Sequence, residues 1–393
     1  WRRAAARCGA RSARYTNIWE IALGSAVVPD SRLVTLASVL CRYSLDVQPG
    51  EVVRVSGPAR AHALFAAVAA ELGRLGAHPM LRPTLPAVEA AVLERGSDDQ
   101  LTAVTVMEEL EVEIPAKTLS IWADENTRYL SGVAPERQAL YWKARREIHD
   151  RFFDRVATGQ ARWCGVSLPT EAHAQDAGMS LADYERFVYG AGHLDDPDPV
   201  AFWRQQSAKQ AAVIDRLSGV SELRIVAEDT DLTVDVAGRT WMNADGRENF
   251  PDGEIYTSPA HEHTRGHIAF SYDATYHGHE FAGVRLWFED GRVVRHEATR
   301  GEDFLAQMLD MDEGARYLGE VAFGTNDEIQ RPVKNVAFDE KIGGTCHVAL
   351  GAAFPEAGGT NRSSLHWDIV RDLRAGGEVY ADGALFSKDG RFV

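Results

Sequence analysis

A chain of 393 residues, 45% hydrophobic and 25% charged, is long enough for two domains that each bury a core, and its composition is that of an ordinary soluble globular protein. The net charge of -16 excludes an electrostatic grip on nucleic acid or on an anionic membrane, both of which need basic patches. No apolar run approaches the roughly 20 residues that span a bilayer.

The chain opens on WRRAAARCGARSARY, with five arginines and no acid. It lacks the apolar stretch of a secretory signal, so residues 1–30 read as an atypical extension, expected to be disordered and set outside the fold. From about Leu33, helix-like and strand-like segments alternate. LVTLASVLCRYSL reads as an amphipathic helix, VVRVSGP as a strand, and AHALFAAVAAELGRLG as a helix ending at Gly76. HPMLRP, TLSIWAD and WCGVSLP are further short strands with helical stretches between them. This order predicts a mostly parallel sheet covered by helices over residues 31–221. The loop SGPAR has one glycine only, too few for a nucleotide-binding turn.

DDPDP, Asp195 to Pro199, breaks the chain before a helix expected over Val200 to Leu217. Beyond Ser221 the texture changes to LRIVAE, DLTVDVAGRTWM, GHIAFSY and FAGVRLWFEDGRVVRHEAT, with turns such as Asp290-Gly291. Those turns predict hairpins and a mixed or antiparallel sheet, hence an α+β domain over residues 222–393. Trp287 and Phe288 suit a core or an interface equally. Cys8, Cys41, Cys164 and Cys346 are scattered without CxxC spacing, which suits a reducing cytoplasm and no cysteine-based zinc site.

Chemistry concentrates in four stretches of the second half: NFPDGEIYTSP, YLGEVAFG, FDEKIGGTCHVALG and SLHWDIV. Each places a carboxylate or imidazole in apolar or glycine-rich sequence, where a lone charge is costly to bury. Singly, Glu254 reads as a turn carboxylate, Glu320 as half of a structural ion pair, and His347 as a hydrogen-bonded core residue. His366 and Asp368 share one face of a strand through their i, i+2 spacing, an ordinary strand pair when taken alone. Together, three carboxylates and two imidazoles suit two divalent cations such as zinc, cobalt, manganese or magnesium. Two such ions and a bridging hydroxide balance three carboxylates, and the pair would activate water toward a carbonyl. HEHTRGH (His261 to His267) and HGHE (His277 to Glu280) also look like metal tracts. The first is not HExxH, since its histidines lie at i, i+2 and i+6 and do not share a helical face, and it reads as a solvated loop.

The ordered series N-x-PDGE-x-(Y/F)-x-(S/A)-P, LGE-x-A, DE-(x)n-CH-x-ALG and GG-x-N-x-S-x-x-H-x-D resembles the M29 family of metalloaminopeptidases. The likeness runs over nearly all of the chain from about residue 31. It implies that Glu254, Glu320, His347, His366 and Asp368 ligate two metals, with Glu320 bridging, and that Glu340 in FDE acts as general base. It also implies peptide substrates and a homodimer whose carboxy-terminal domains enclose a cavity. One position departs: the family pattern ALG-x-x-Y has Phe354 here, which cannot donate a phenol's hydrogen bond, and Tyr256 is the nearest replacement in the motif. Two other readings stay open, a different dinuclear hydrolase such as an amidase or carboxypeptidase, and a weakly active metal-binding scaffold.

Overall fold

The computed structural model describes residues 30–276 and 279–393. The Arg-rich start, with Cys8, and part of the HGHE tract, His277 and Gly278, lie outside the described residues. The chain enters through α1 (Ser31–Val39), whose first turn is capped by the Asp30 carboxylate and which runs on as a π-helical turn over Leu40–Ser44. The expected helix is therefore present with a widened last turn.

β1 (Val52–Pro58), α2 (His62–Leu75) and β2 (His78–Thr84) follow as read from the sequence. Gly76 closes α2 in the left-handed conformation that favours glycine. β3 (Lys117–Trp122), α3 (Pro135–Ala157) and β4 (Arg162–Ser167) extend the unit. α4 (Pro199–Leu217) starts one residue before the expected helix, with Asp198 capping it and Pro199 in the first turn. β5 (Glu222–Ala227) begins after the turn that follows α4.

Strands β6 (Thr230–Asp235), β7 (Met242–Ala244), β8 (Asn249–Phe250) and β9 (Glu254–Thr257) come next. The first sheet is parallel in the order β2-β1-β3-β4-β8. Its outer strand β8 is contributed from beyond residue 221, and Phe250, Ile329, Val333, Phe338 and Ile342 pack into the same core as Leu64 and Val166. The chain thus returns to the first core after it has started the second.

The remaining strands are β10 (Arg265–Ala269), β11 (Ala274–Tyr276), β12 (His279–Phe281), β13 (Arg285–Glu289), β14 (Arg292–Glu297) and β15 (Leu318–Gly324). After the short helix α5 (Val336–Asp339) come β16 (Thr345–Gly351), β17 (His366–Asp372), β18 (Glu378–Ala381), β19 (Ala384–Lys388) and β20 (Arg391–Phe392). They build an eight-stranded antiparallel sheet, β14-β13-β10-β6-β5-β18-β19-β20, and a five-stranded antiparallel one, β17-β16-β15-β9-β7. The two share a core to which Leu286, Phe288, Val348, Trp367 and Val379 belong. Phe288 is thus core, while Trp287 stacks on His267 beneath the Arg295 guanidinium. HEHTRGH forms a short 3-10 turn, His261–His263, and then enters β10, so its second half is a strand rather than a loop. His279 of the other histidine tract stacks on Phe304. Among the described residues, no helix is long and apolar enough to cross a membrane.

Candidate metal centre

The five-stranded sheet has an apolar face and a chemical face, and strand alternation separates them. Ile255, Val321, Phe323, Cys346, Val348, Leu350, Trp367 and Ile369 turn into the core. Their neighbours Glu254, Glu320, His347, His366 and Asp368 then share the opposite face. Cys346, next to His347, points away from that face and packs in the core.

The strand register leaves room between these groups. Ala349 lies between Glu320 and Asp368, Ala322 between Tyr256 and His347, Gly324 beside Glu254, and Gly351 beside His366. A larger side chain at Ala322 or Ala349 would fill the space the polar groups surround, and a Cβ on Gly324 or Gly351 would come 2.2 Å from the Ile342 or Leu365 carbonyl oxygen. A register shift between Leu318 and Glu320 marks a bulge, of the kind that redirects a side chain. A Cβ on Gly319 within it would come 2.0 Å from the Ala352 carbonyl oxygen, so the glycine of LGE is a steric requirement.

The donors converge. His347 Nε2 lies 3.4 Å from Glu254 Oε2, 3.6 Å from Glu320 Oε1 and 4.0 Å from Asp368 Oδ1. His366 Nε2 lies 3.4 Å from Glu320 Oε2 and 3.5 Å from Asp368 Oδ2. Glu320 and Asp368 therefore each turn one oxygen to each imidazole. Donor atoms of Glu254, Glu340 and His347, and of Glu320, His347 and Asp368, fall within 4.8 Å of one another and could hold an ion; His366 stands outside both groupings. The His366 Nδ1–H donates to the Ala352 carbonyl at 2.9 Å, which aims Nε2 at Glu320 and Asp368 and would leave its lone pair for an ion once the ring is neutral.

The two histidines differ in exposure. The His347 side chain is 1% exposed and the His366 side chain 32%. Burial works against charge on both rings, but the surrounding carboxylates outweigh it and hold His347 up to about 9 and His366 up to about 10. Burial raises Glu254 and Asp368, whereas the two imidazoles draw Glu320 down. Glu254 Oε2, both ring nitrogens of His347 and Asp368 Oδ1 are buried without a hydrogen-bond partner. Such orphaned atoms are costly unless something pairs with them, and their convergence fits a cation.

Glu340 sits at the end of α5 at the rim of this cluster. The residue after it was not singled out from the sequence: Lys341 is wholly buried, with its Nζ 2.8 Å from Glu254 Oε1, 2.5 Å from Glu340 Oε1 and 3.4 Å from Asp252 Oδ1. Asp252 of PDGE, also wholly buried, was likewise missed, since a proline-aspartate-glycine run reads as an exposed turn. The Phe354 ring lies 5.1 Å from the His366 ring and 5.0 Å from that of Tyr256. A cavity of 80 Å³ opens beside His366 and Asp368, lined also by Tyr276 and Lys334.

Comparison with known proteins shows the family and the fold. The sequence matches the family described as thermophilic metalloprotease (M29) over residues 29–392. It is 28% identical to Aminopeptidase 2 of Geobacillus stearothermophilus across 92% of this chain and 95% of that protein. It is also 28% identical to Aminopeptidase T of Thermus aquaticus, over 65% and 70% of the two chains. The structure of wild-type AmpT from Thermus thermophilus superposes with a TM-score of 0.78 at 24% identity, covering 92% of this chain and 99% of that one, which establishes the shared fold. The chain belongs to the M29 family of metalloproteases, hydrolases that act on peptide bonds.

Proposed function

We propose that this protein is a metal-dependent aminopeptidase that removes the first residue of a peptide. Glu254, Glu320, His347, His366 and Asp368 would hold two divalent ions, with Glu320 as the shared ligand. The observation that carries this reading is the division of Glu320, one oxygen toward each imidazole at 3.6 and 3.4 Å, closer than the same division of Asp368 at 4.0 and 3.5 Å. Charge supports two ions as well: Asp252, Glu254, Glu320, Glu340 and Asp368 less the Lys341 ammonium leave four negative charges, which two divalent cations balance. An oxygen and nitrogen donor set without thiolate suits zinc, cobalt, manganese or magnesium.

When bound, such a pair lowers the pKa of water and polarises a peptide carbonyl. Glu340 is the general base of this reading, taking a proton from the attacking water and returning it to the leaving amine. His366 and Asp368, at the open side of the cluster, line the cavity through which substrate arrives. The amino-terminal domain (31–221) shapes access, and the carboxy-terminal domain (222–393) carries the ligands. The same reading takes short peptides as substrates, a homodimer as the assembly and the cytoplasm as the setting.

Aminoacyl-nitroanilides and amino-blocked peptides, with chelator and metal add-back, test it. Free-amino substrates should be cleaved only with metal, and blocked ones not at all. Cleavage of blocked peptides would show an amidase or other dinuclear hydrolase. Bound metal without turnover would show a scaffold, the reading that Phe354 beside His366 favours.

A further inference from the structure

A lysine without exposed surface is rare, and Lys341 has its ammonium among three carboxylates. Its ammonium donates to Glu254 Oε1 and Glu340 Oε1 and is ion-paired with Asp252 Oδ1 at 3.4 Å. The backbone fixes it there from both sides. The Lys341 N–H donates to Phe338, and the Lys341 carbonyl accepts from Asn326 N at 3.0 Å. A Cβ on Gly324 would come 2.2 Å from the Ile342 carbonyl oxygen, so the 341–342 backbone closes on the sheet only because that strand ends in glycine. Gly253, just before β9, has φ +123 and a Cβ position 2.8 Å from that of Asn326, whose N–H holds the Lys341 carbonyl.

We propose that Lys341 is a positioning residue of the reaction. Its ammonium takes one oxygen of Glu254 and one of Glu340, which leaves Glu254 only the oxygen that faces His347 and leaves Glu340 one oxygen to act as the base. The proposal rests on the metalloaminopeptidase reading above. It goes beyond charge balance, because a counter-ion could stand anywhere near the cluster, whereas this one meets the proposed base and a proposed ligand at once.

The test compares Lys341→Met with the double variant Asp252→Asn, Lys341→Met, which removes one negative charge together with the positive one and so spares the fold. The proteins are loaded with cobalt, whose visible absorption follows the number and arrangement of its ligands. Both variants should bind as much cobalt as the wild type and show an altered spectrum. Their kcat should fall about 100-fold, the cost of a base displaced by about an ångström, with KM within about threefold. A double variant with wild-type spectrum and kcat overturns the proposal, since Lys341 would then only balance charge. Loss of cobalt from both variants also overturns it, because Lys341 would be holding the ligand set together rather than orienting it. If the wild-type protein takes up no cobalt, the metal reading itself fails, and this is seen before any variant is compared.

Discussion

The donor cluster has a closed end and an open end, and they are built differently. At the closed end, His347, Glu254, Asp252 and Lys341 are all buried, so every charge there depends on another protein group or a bound ion. At the open end, His366 keeps a third of its side chain exposed and borders a cavity with Tyr276. Glu320 belongs to both, with one oxygen at each end. The contrast suggests a division of labour: the closed end sets charge and geometry, and the open end meets substrate.

Removing what the two ends share should have the largest effect. Glu320→Gln keeps the shape and removes the charge that faces both imidazoles. We expect less than one metal per chain by elemental analysis and a loss of activity of at least about 1,000-fold, the range seen when groups that act as a unit are broken. Two metals per chain in this variant would sink the shared-ligand reading.

The ends can then be separated. His347→Ala leaves Glu254 and Asp368 buried without their imidazole and should destabilise the metal-free fold by about 3 kcal/mol, as when one partner of a buried ion cluster is removed. His366→Ala, at the solvent side, should abolish activity and binding of one metal while lowering the melting temperature less than His347→Ala, because water screens the ion pairs of its part-exposed side chain. Equal melting temperatures for the two variants would remove the distinction between the ends.

Acidity tests both ends by another route. The folded, metal-free protein holds His347 at about 9 and His366 at about 10, against an ordinary value near 6.5. A raised histidine contributes stability that is full below about 6.5 and is lost as pH rises through 9 to 10. The buried Glu254, raised as well, loses stability in the same direction. Metal-free protein should therefore melt at progressively lower temperature from pH 7 to 10. Metal-loaded protein should show no such loss, since its imidazoles have already given up their protons. Parallel melting curves for the two forms would count against these histidines as ligands.

The legible part of the molecule was whatever repeats a local pattern. Alternating helices and strands announced the parallel sheet, and the i, i+2 pair His366 and Asp368 announced a strand with one functional face. What escaped was set by contacts distant in sequence. Lys341 sits in DEKIGG, where a lysine among acids reads as solvated surface, and its partner Glu254 lies 87 residues earlier. Nothing local distinguishes a buried lysine from an exposed one; only the closure of the 341–342 backbone on Gly324 buries it. The two-residue strand β8 was equally invisible, because a strand that short carries no alternation, and its pairing with β4 depends on the return of the chain to the first core.

The smallest expected effect concerns Phe354, where the family pattern has tyrosine. Its ring lies between His366 and Tyr256 at the open end, so a hydroxyl added there joins the substrate side without disturbing the buried charges. Tyr256 follows Glu254 by two residues on β9 and shares its face, in the same cross-strand row as Ala322 and His347, so a phenol is already present next to the site. If Tyr256 supplies the hydrogen bond that Phe354 lacks, Phe354→Tyr should raise kcat only about two- to threefold, while Tyr256→Phe should lower it by about 100-fold, the loss of one oxyanion donor. The reverse pattern, a large gain from Phe354→Tyr and no loss from Tyr256→Phe, would mean that this chain works without the donor and that its open end is catalytically incomplete.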